Sequence, residues 1–386
     1  MIYLDNGATS FPKPEAVSGA VERAMKQCAN PGRGGHLPAM KAAKAVYGCR
    51  ERAGKFFDCL PEQVAFTMNC THGLNIAIRS LVKPGDHVVV SGFEHNAVMR
   101  PLHALCADIR VAGRRLFDWE DTLNHFEDAL KQRPAAAVFT HVSNVFGYIL
   151  PVAQIGALCR QYGVPFVLDA AQSAGTEEVS LEKLGAAYIA MPGHKGLQGP
   201  MGTGLLLCAE TPEPLVFGGT GTESARLEMP EYLPERLEAG TVNVPGIAGL
   251  EAGMAWVMAQ GRERIRKREA ELAKYCGEGL KKLGLQVFSG PHQAGTVSFV
   301  PEEDGEELAK ALGQRGICIR AGLHCAALAH ESAGTLDTGT VRVSFGPQSN
   351  GQQTERFLEI VKFLRMTIAI DNAFRYNRKD NRVVMR

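Results

Sequence analysis

The chain contains ten cysteines in 386 residues, yet none of them forms a Cys-x-x-Cys pair. A structural zinc site or an iron–sulfur cluster normally needs such spacing, so neither is expected to organise the fold. Net charge is equally scarce: 42 Lys and Arg stand against 41 Asp and Glu, leaving +1. A nucleic-acid-binding surface is therefore not expected. No apolar run approaches the roughly 18 residues that a membrane span requires. The start, Met1-Ile2-Tyr3-Leu4-Asp5, has neither the basic nor the apolar region of a secretion signal. These absences predict a cytoplasmic protein with no membrane partner, whose cysteines are mostly small buried hydrophobes. The basic stretch from Arg375 to Arg386 reads as a solvated end.

Hydrophobic residues make up 45% of the chain and charged residues 22%, as in ordinary globular proteins. Apolar, β-branched runs of strand length alternate with helical patterns. Strands are expected at Gln63–Thr67, His87–Ser91, Ala136–His141, Pro165–Asp169, Ala187–Met191 and Gly204–Leu207. Helices are expected at Gly73–Val82, Ala97–Cys106, Asp121–Gln132 and Pro151–Tyr162. Continuous apolar strands covered by helices on both faces predict an α/β fold with a mostly parallel sheet. Ligands of such sheets bind beyond the carboxyl ends of the strands. After Gly246 the texture changes: a charged helix is expected over Ile247–Leu283, then strands at Gly295–Val300 and Thr340–Phe345 and a helix at Gly305–Gln314. We divide the chain into a large α/β domain, residues 16–246, and a smaller α+β domain built from residues 1–15 and 247–386.

The chemistry gathers at strand ends. Pro192-Gly193-His194-Lys195-Gly196 places a lysine in a Gly-rich turn between two apolar runs. A lysine facing a crevice loses its proton readily and can condense with an aldehyde, for which pyridoxal 5′-phosphate is the candidate. Asp169 closes the run Pro165–Asp169 and would place an anion beside a pyridine nitrogen, or else cap a helix. Gln172, one turn on, could reach the 3′-oxygen. Cys70-Thr71-His72-Gly73 opens a helix, where Thr71 and the backbone amide of His72 could hold phosphate; Thr71 as a plain N-cap is the alternative. His95, in Phe93-Glu94-His95-Asn96, could stack on a ring and move protons or serve structure alone. Asn144 follows the run Ala136–His141 and would touch the 3′-oxygen or a substrate carboxylate, or sit in a turn before Gly147. Arg342, inside a strand, needs an anion: a substrate carboxylate or an internal ion pair. Cys325, beside His324 and near Arg320, is expected in an electropositive setting that favours thiolate.

Taken together, Tyr3-Leu4-Asp5-Asn6-Gly7-Ala8-Thr9, the Lys195 turn, the Asp169 strand end and Arg320-Ala321-Gly322-Leu323-His324-Cys325 resemble the class V, fold-type I pyridoxal-phosphate enzymes, and within them the cysteine desulfurases. The last motif is similar to the group II (SufS-like, selenocysteine lyase-like) branch. The resemblance covers nearly the whole chain, up to about Gln348. It implies a seven-stranded large-domain sheet and Lys195 as the cofactor-bearing lysine. Asp169 would pair with the pyridine nitrogen, Gln172 with the 3′-oxygen, and His95 with the ring face. Thr71, His194 and the His72 amide would hold the phosphate. Thr241 would reach the phosphate of a second subunit, so a homodimer with shared active sites is implied. Asn144 and Arg342 would hold the substrate carboxylate, with Arg320 and His36 nearby, and Cys325 would accept sulfur from L-cysteine as a persulfide. A sulfur-acceptor or scaffold protein would then be a partner. A selenocysteine lyase acting on L-selenocysteine and a class V aminotransferase are the alternatives. The chain departs from the family pattern at Pro192, where many relatives carry serine, at His72 and Cys70, and in the loop after Cys325.

Overall fold

The computed structural model describes residues 1–32 and 34–366; the basic stretch Arg375–Arg386 lies outside the described residues. In chain order, β1 (Ile2–Tyr3) precedes α1 (Glu15–Gln27) and α2 (Leu37–Phe57). Then come β2 (Val64–Thr67), α3 (Cys70–Leu81), β3 (His87–Ser91), α4 (Asn96–Ala104), β4 (Asp108–Ala112), α5 (Trp119–Leu130), β5 (Ala136–Thr140), α6 (Val152–Tyr162), β6 (Phe166–Asp169), α7 (Leu181–Leu184), β7 (Tyr188–Pro192) and β8 (Gly204–Cys208). The rest is α8 (Val244–Gln260), α9 (Arg262–Lys282), β9 (Gln286–Phe288), β10 (Thr296–Val300), α10 (Gly305–Gly313), β11 (Ile317–Cys318), β12 (Arg320–Gly322), α11 (Ala327–Ala333) and β13 (Thr340–Ser344). Residues 351–366 are helical.

Strands β2 to β8 form one seven-stranded sheet in the order β2-β8-β7-β6-β5-β3-β4. Only β8 runs against its neighbours; the other adjacent pairs are parallel. Because side chains alternate along a strand, Val88, Val90, Val138 and Val167 enter the core on one face. Val89, Phe139, Phe166 and Leu168 enter the core on the other. Strand β4, which the apolar pattern does not mark, lies at the sheet edge. It exposes Asp108 and Arg110 there, so its sequence carries charge where the central strands carry valine. The sheet topology brings the carboxyl ends of β3, β5, β6 and β7 to one rim.

The helix expected over Ile247–Leu283 is two helices. Gly261, at φ 82°, ψ 112°, ends α8 and starts α9 in a conformation that a side chain disfavours. The break redirects the chain. Ile247, Leu250 and Met254 of α8 join a core of the large sheet, whereas Ala273, Cys276 and Leu280 of α9 pack into a separate core. That second core also holds Leu4, Val297, Phe299, Val341 and Val343 and lies on the antiparallel sheet β12-β13-β10-β9. The first residues of the chain belong to the same region: Ile2 and Tyr3 pair with Ile317 and Cys318, and Asp5 bridges to Ser344. Among the described residues no helix is long and apolar enough to cross a membrane.

A small cavity is lined by Lys195 together with Glu177, Arg266 and Glu269. Glu269 is buried on α9, and its carboxyl has no hydrogen bond or ion pair among the described residues. Burial, and then the neighbouring Glu177 carboxylate, push its pKa up to about 8. A carboxyl whose pKa rises on folding stabilises the protein only while it stays protonated. Its contribution is complete below the unfolded value and is lost as pH climbs to about 8. Glu269→Gln is therefore expected to raise the thermal midpoint by several degrees at about pH 8 and to change it little at about pH 5. Thermal unfolding of both proteins across that range checks this.

Candidate active site

The rim of the large sheet forms a cleft lined by Thr71, His95, Asn144, Asp169, Gln172, His194 and Lys195. Seven side chains drawn from five separate stretches of sequence thus converge, because each stretch follows a strand of the same sheet.

Asp169 is the last residue of β6 and is buried. Its Oδ1 accepts the amide of Ala171 at 2.8 Å and the thiol of Cys70 at 3.4 Å. No helix begins here, so the bond from Ala171 closes a turn instead of capping a helix, and among the described residues Oδ2 has no protein donor. Lys195 lines the same cleft, and among the described residues its side-chain amine makes no hydrogen bond or ion pair. Burial lowers its pKa, against the attraction of Asp169, and the guanidiniums of Arg342 and Arg320 lower it further. A neutral amine is a nucleophile and a base, so this placement gives Lys195 the reactivity that an exposed lysine lacks.

His95 has two roles. It is the N-cap of α4, with Nδ1 accepting the Ala97 amide at 3.0 Å, and its ring lines the cleft. This bond fixes the tautomer: the proton sits on Nε2. Burial lowers the His95 pKa, which keeps the ring neutral. Beside it, Glu94 is wholly buried. One of its oxygens accepts from the Ser91 hydroxyl and from the Thr140 amide, tying the ends of β3 and β5 together. Burial pushes its pKa up to about 8, and Oε2 has no partner. Sequence reasoning passed over Glu94; an acid between an apolar strand end and a histidine was the available signal.

The phosphate-side expectations fare unevenly. Asn69 rather than Thr71 caps α3, and its Oδ1 already takes the His72 amide at 2.9 Å. The His72 ring faces a different cavity, which it shares with Thr241. Thr241 is absent from the Lys195 cleft of the same chain. Gln172 donates Nε2 to the Gly7 carbonyl at 3.0 Å. His36 is exposed and caps α2, its Nδ1 accepting the Ala39 amide at 3.4 Å, and it lines neither the cleft nor the cavity beside it.

A polar chain joins the cleft to the small sheet. Arg342, on β13, is 2% exposed and donates to Asp5 Oδ1 at 2.7 Å and to the Asn144 carbonyl at 2.9 Å. The internal ion pair weighed for this arginine is present, while its Nε is buried without a partner. Arg320 approaches the other oxygen of Asp5 at 3.5 Å. Asn144 in turn donates Nδ2 to the His324 carbonyl at 2.8 Å. The next residue, Cys325, is exposed, and its carbonyl accepts the Asn96 amide at 2.7 Å, on the same turn that carries His95. His324 and Cys325 both hold left-handed backbone angles, φ 50° and 58°. Such consecutive strain in non-glycine residues is tolerated where surroundings enforce it. Here Asn96, Asn144 and the bond from Ser332 to the Gly92 carbonyl enforce it. The electropositive contribution expected of His324 is not there: it is buried, its Nε2 donates to Thr340, and burial drives its pKa down to about 3.

Residues 2–357 match the family model described as Aminotransferase class-V. The chain is 34% identical to a probable cysteine desulfurase of Pyrococcus abyssi, covering 95% of both proteins. It is 33% identical to a probable cysteine desulfurase of Methanothermobacter thermautotrophicus, covering 89% of each. The apo structure of a cysteine desulfurase from Thermococcus onnurineus superposes with a TM-score of 0.88 at 33% identity over 94% of both chains. With its rim lysine, strand-end aspartate and docked cysteine loop on this fold, the chain belongs to the class-V aminotransferase family, among its cysteine desulfurases.

Proposed function

We propose that this protein is a pyridoxal 5′-phosphate-dependent cysteine desulfurase that takes sulfur from L-cysteine onto Cys325 and releases L-alanine. One observation carries the reading: the exposed Cys325 is docked on the turn that presents His95 to the Lys195 cleft. The residues present suit the cofactor. Lys195 has an uncommitted amine, and Asp169 keeps one oxygen without a protein donor, as an anion beside a protonated ring nitrogen requires. When bound, the cofactor supplies an aldehyde for the substrate amine and a sink for electrons at the substrate Cα. Lys195, depressed below the ordinary lysine range, is the group to take and return the Cα proton. Neutral His95, which lines the cleft with its proton on Nε2, would stand against the cofactor ring and could donate a proton there. Asn144 lines the cleft and would orient the substrate carboxylate, with Arg342, whose Nε alone is unpartnered, behind it.

The sulfur step belongs to Cys325. Its thiolate attacks the substrate sulfur, an S–S bond forms, and the Cβ–S bond breaks with its electron pair left on carbon. That carbon takes up a proton and departs as the methyl group of alanine, leaving a persulfide on the enzyme. The short motif Arg320–Cys325 supports the group II branch. The position of Thr241, in a cavity beside His72 and outside its own chain's cleft, supports service to a second subunit in a homodimer. The persulfide would be delivered to a sulfur-acceptor or scaffold protein.

Wild type incubated with L-cysteine and a reductant is expected to release alanine, and without reductant to carry one added sulfur atom on the Cys325 peptide by mass spectrometry. Cys325→Ala is expected to lose both. Equal alanine from the two proteins would refute the persulfide role and favour L-selenocysteine as substrate; a requirement for an α-keto acid would favour an aminotransferase. Asn144→Ala removes the bond that holds the His324 carbonyl. Alanine release should fall by roughly tenfold or more, the worth of a buried hydrogen bond or two, while the visible absorbance of bound cofactor stays. Parallel kinetics and spectra check this.

A further inference from the structure

The peptide preceding Lys195 is held in an unusual way. The His194 carbonyl oxygen lies within reach of four donors from the start of the chain: the Ser10 amide at 3.1 Å, the Ser10 hydroxyl at 3.1 Å, the Thr9 hydroxyl at 3.1 Å and the Lys13 ammonium at 2.6 Å. A carbonyl oxygen has two lone pairs, so four donors are more than it can serve well. The Thr9 hydroxyl has a second partner in reach, Nδ1 of the His194 ring, also at 3.1 Å. Which of the two it addresses decides where the proton on the imidazole sits.

Lys13 settles the competition. It is half-buried, and among the described residues its ammonium has no carboxylate partner and donates only to the Ser10 hydroxyl at 2.6 Å and the His194 carbonyl. A charge-assisted bond is stronger than a neutral one, so Lys13 outbids Thr9 for that oxygen. The Thr9 hydroxyl then donates to Nδ1, and the single ring proton lies on Nε2, which has no partner among the described residues, in a residue that lines the cleft. His194 does not escape the choice by taking a second proton. Burial, and then the charges of Lys195 and Lys13, drive its pKa down to about 4. Without Lys13 the charged donor is gone, the neutral hydroxyls of Thr9 and Ser10 compete for the carbonyl on equal terms, and Thr9 is free to turn to it and accept from Nδ1–H. Nε2 would then present a lone pair to the cleft, which repels an anion.

We infer that Lys13 is a positioning residue that, through the His194 carbonyl and the Thr9 hydroxyl, keeps His194 as an Nε2–H donor for the anionic group of the ligand. This rests on reading the cleft as a pyridoxal 5′-phosphate site. It goes beyond that reading in giving the first turn of the chain, outside the cleft lining, control over a donor inside it.

The test uses wild type, Lys13→Met, Lys13→Arg and Thr9→Val, each titrated with pyridoxal 5′-phosphate and with pyridoxal, which lacks the phosphate. Lys13→Met and Thr9→Val are expected to bind the phosphate ester about tenfold more weakly, as loss of one charge-assisted bond implies, with pyridoxal affinity unchanged. Lys13→Arg should stay near wild type. Nitrogen-15 NMR of labelled histidine should find His194 protonated on Nε2 in wild type and shifted toward Nδ1 in Lys13→Met. Equal losses for both ligands, no loss for either, or an Nδ1-protonated wild type would overturn the role of Lys13. A wild type that carries Nε2–H yet binds neither ligand would overturn the reading of the cleft itself, and this role with it.

Discussion

An ammonium kept away from water without a bonded counter-ion is the constraint on which the site depends. Among the described residues Lys195 has no ion pair, and the negative charge that acts on it most is that of Asp169, which lines the same cleft. Holding a lysine there is costly unless it gives up its proton. The sheet meets that cost in advance: β6 and β7 are fully buried, and their turns have nowhere to go but the rim. The same burial acts on His95 and His194, keeping both rings neutral at physiological pH. A neutral imidazole has one donor and one acceptor, so its usefulness depends on which nitrogen holds the proton. At His95 the Ala97 amide decides it, and at His194 the start of the chain does.

The second constraint is mechanical. The cysteine that would take sulfur belongs to the small sheet, while the lysine belongs to the large one. Asp5, Arg342, Asn144 and the His324 carbonyl form a continuous set of charge-assisted and buried bonds between them. Removing one member would strand another in a buried place, which is why such networks are costly to break. Docking of Cys325 on the α4 turn completes the link. The left-handed angles at His324 and Cys325 show that the loop does not adopt this shape by local preference.

Much of this was legible in the sequence. Valine runs such as Val88-Val89-Val90 announce buried strands because both faces are covered, and the core accepts alternate members on opposite sides. Asp169, Lys195, His95 and Asn144 were identifiable because each follows such a run, where α/β sheets place their ligands. Strand β4 was not, because a sheet edge needs only one apolar flank. The break at Gly261 was not, because a single glycine inside a helical pattern is often tolerated. Glu94 was overlooked because a buried acid looks like a surface acid until its neighbours are known.

The sequence by itself determined the element types, the strand-end positions of the reactive groups and the family, since these depend on local patterning and short motifs. Only the tertiary structure decided charge states, tautomers and competition for partners. Asn69 rather than Thr71 caps α3, Asp5 already occupies Arg342, and His324 adds no charge beside Cys325. Lys13, an unremarked lysine between two prolines, proves to bear on the Lys195 peptide. The physical reason is common to all of these: burial and hydrogen bonding are set by groups distant in the chain, and a residue's protonation follows its surroundings rather than its type.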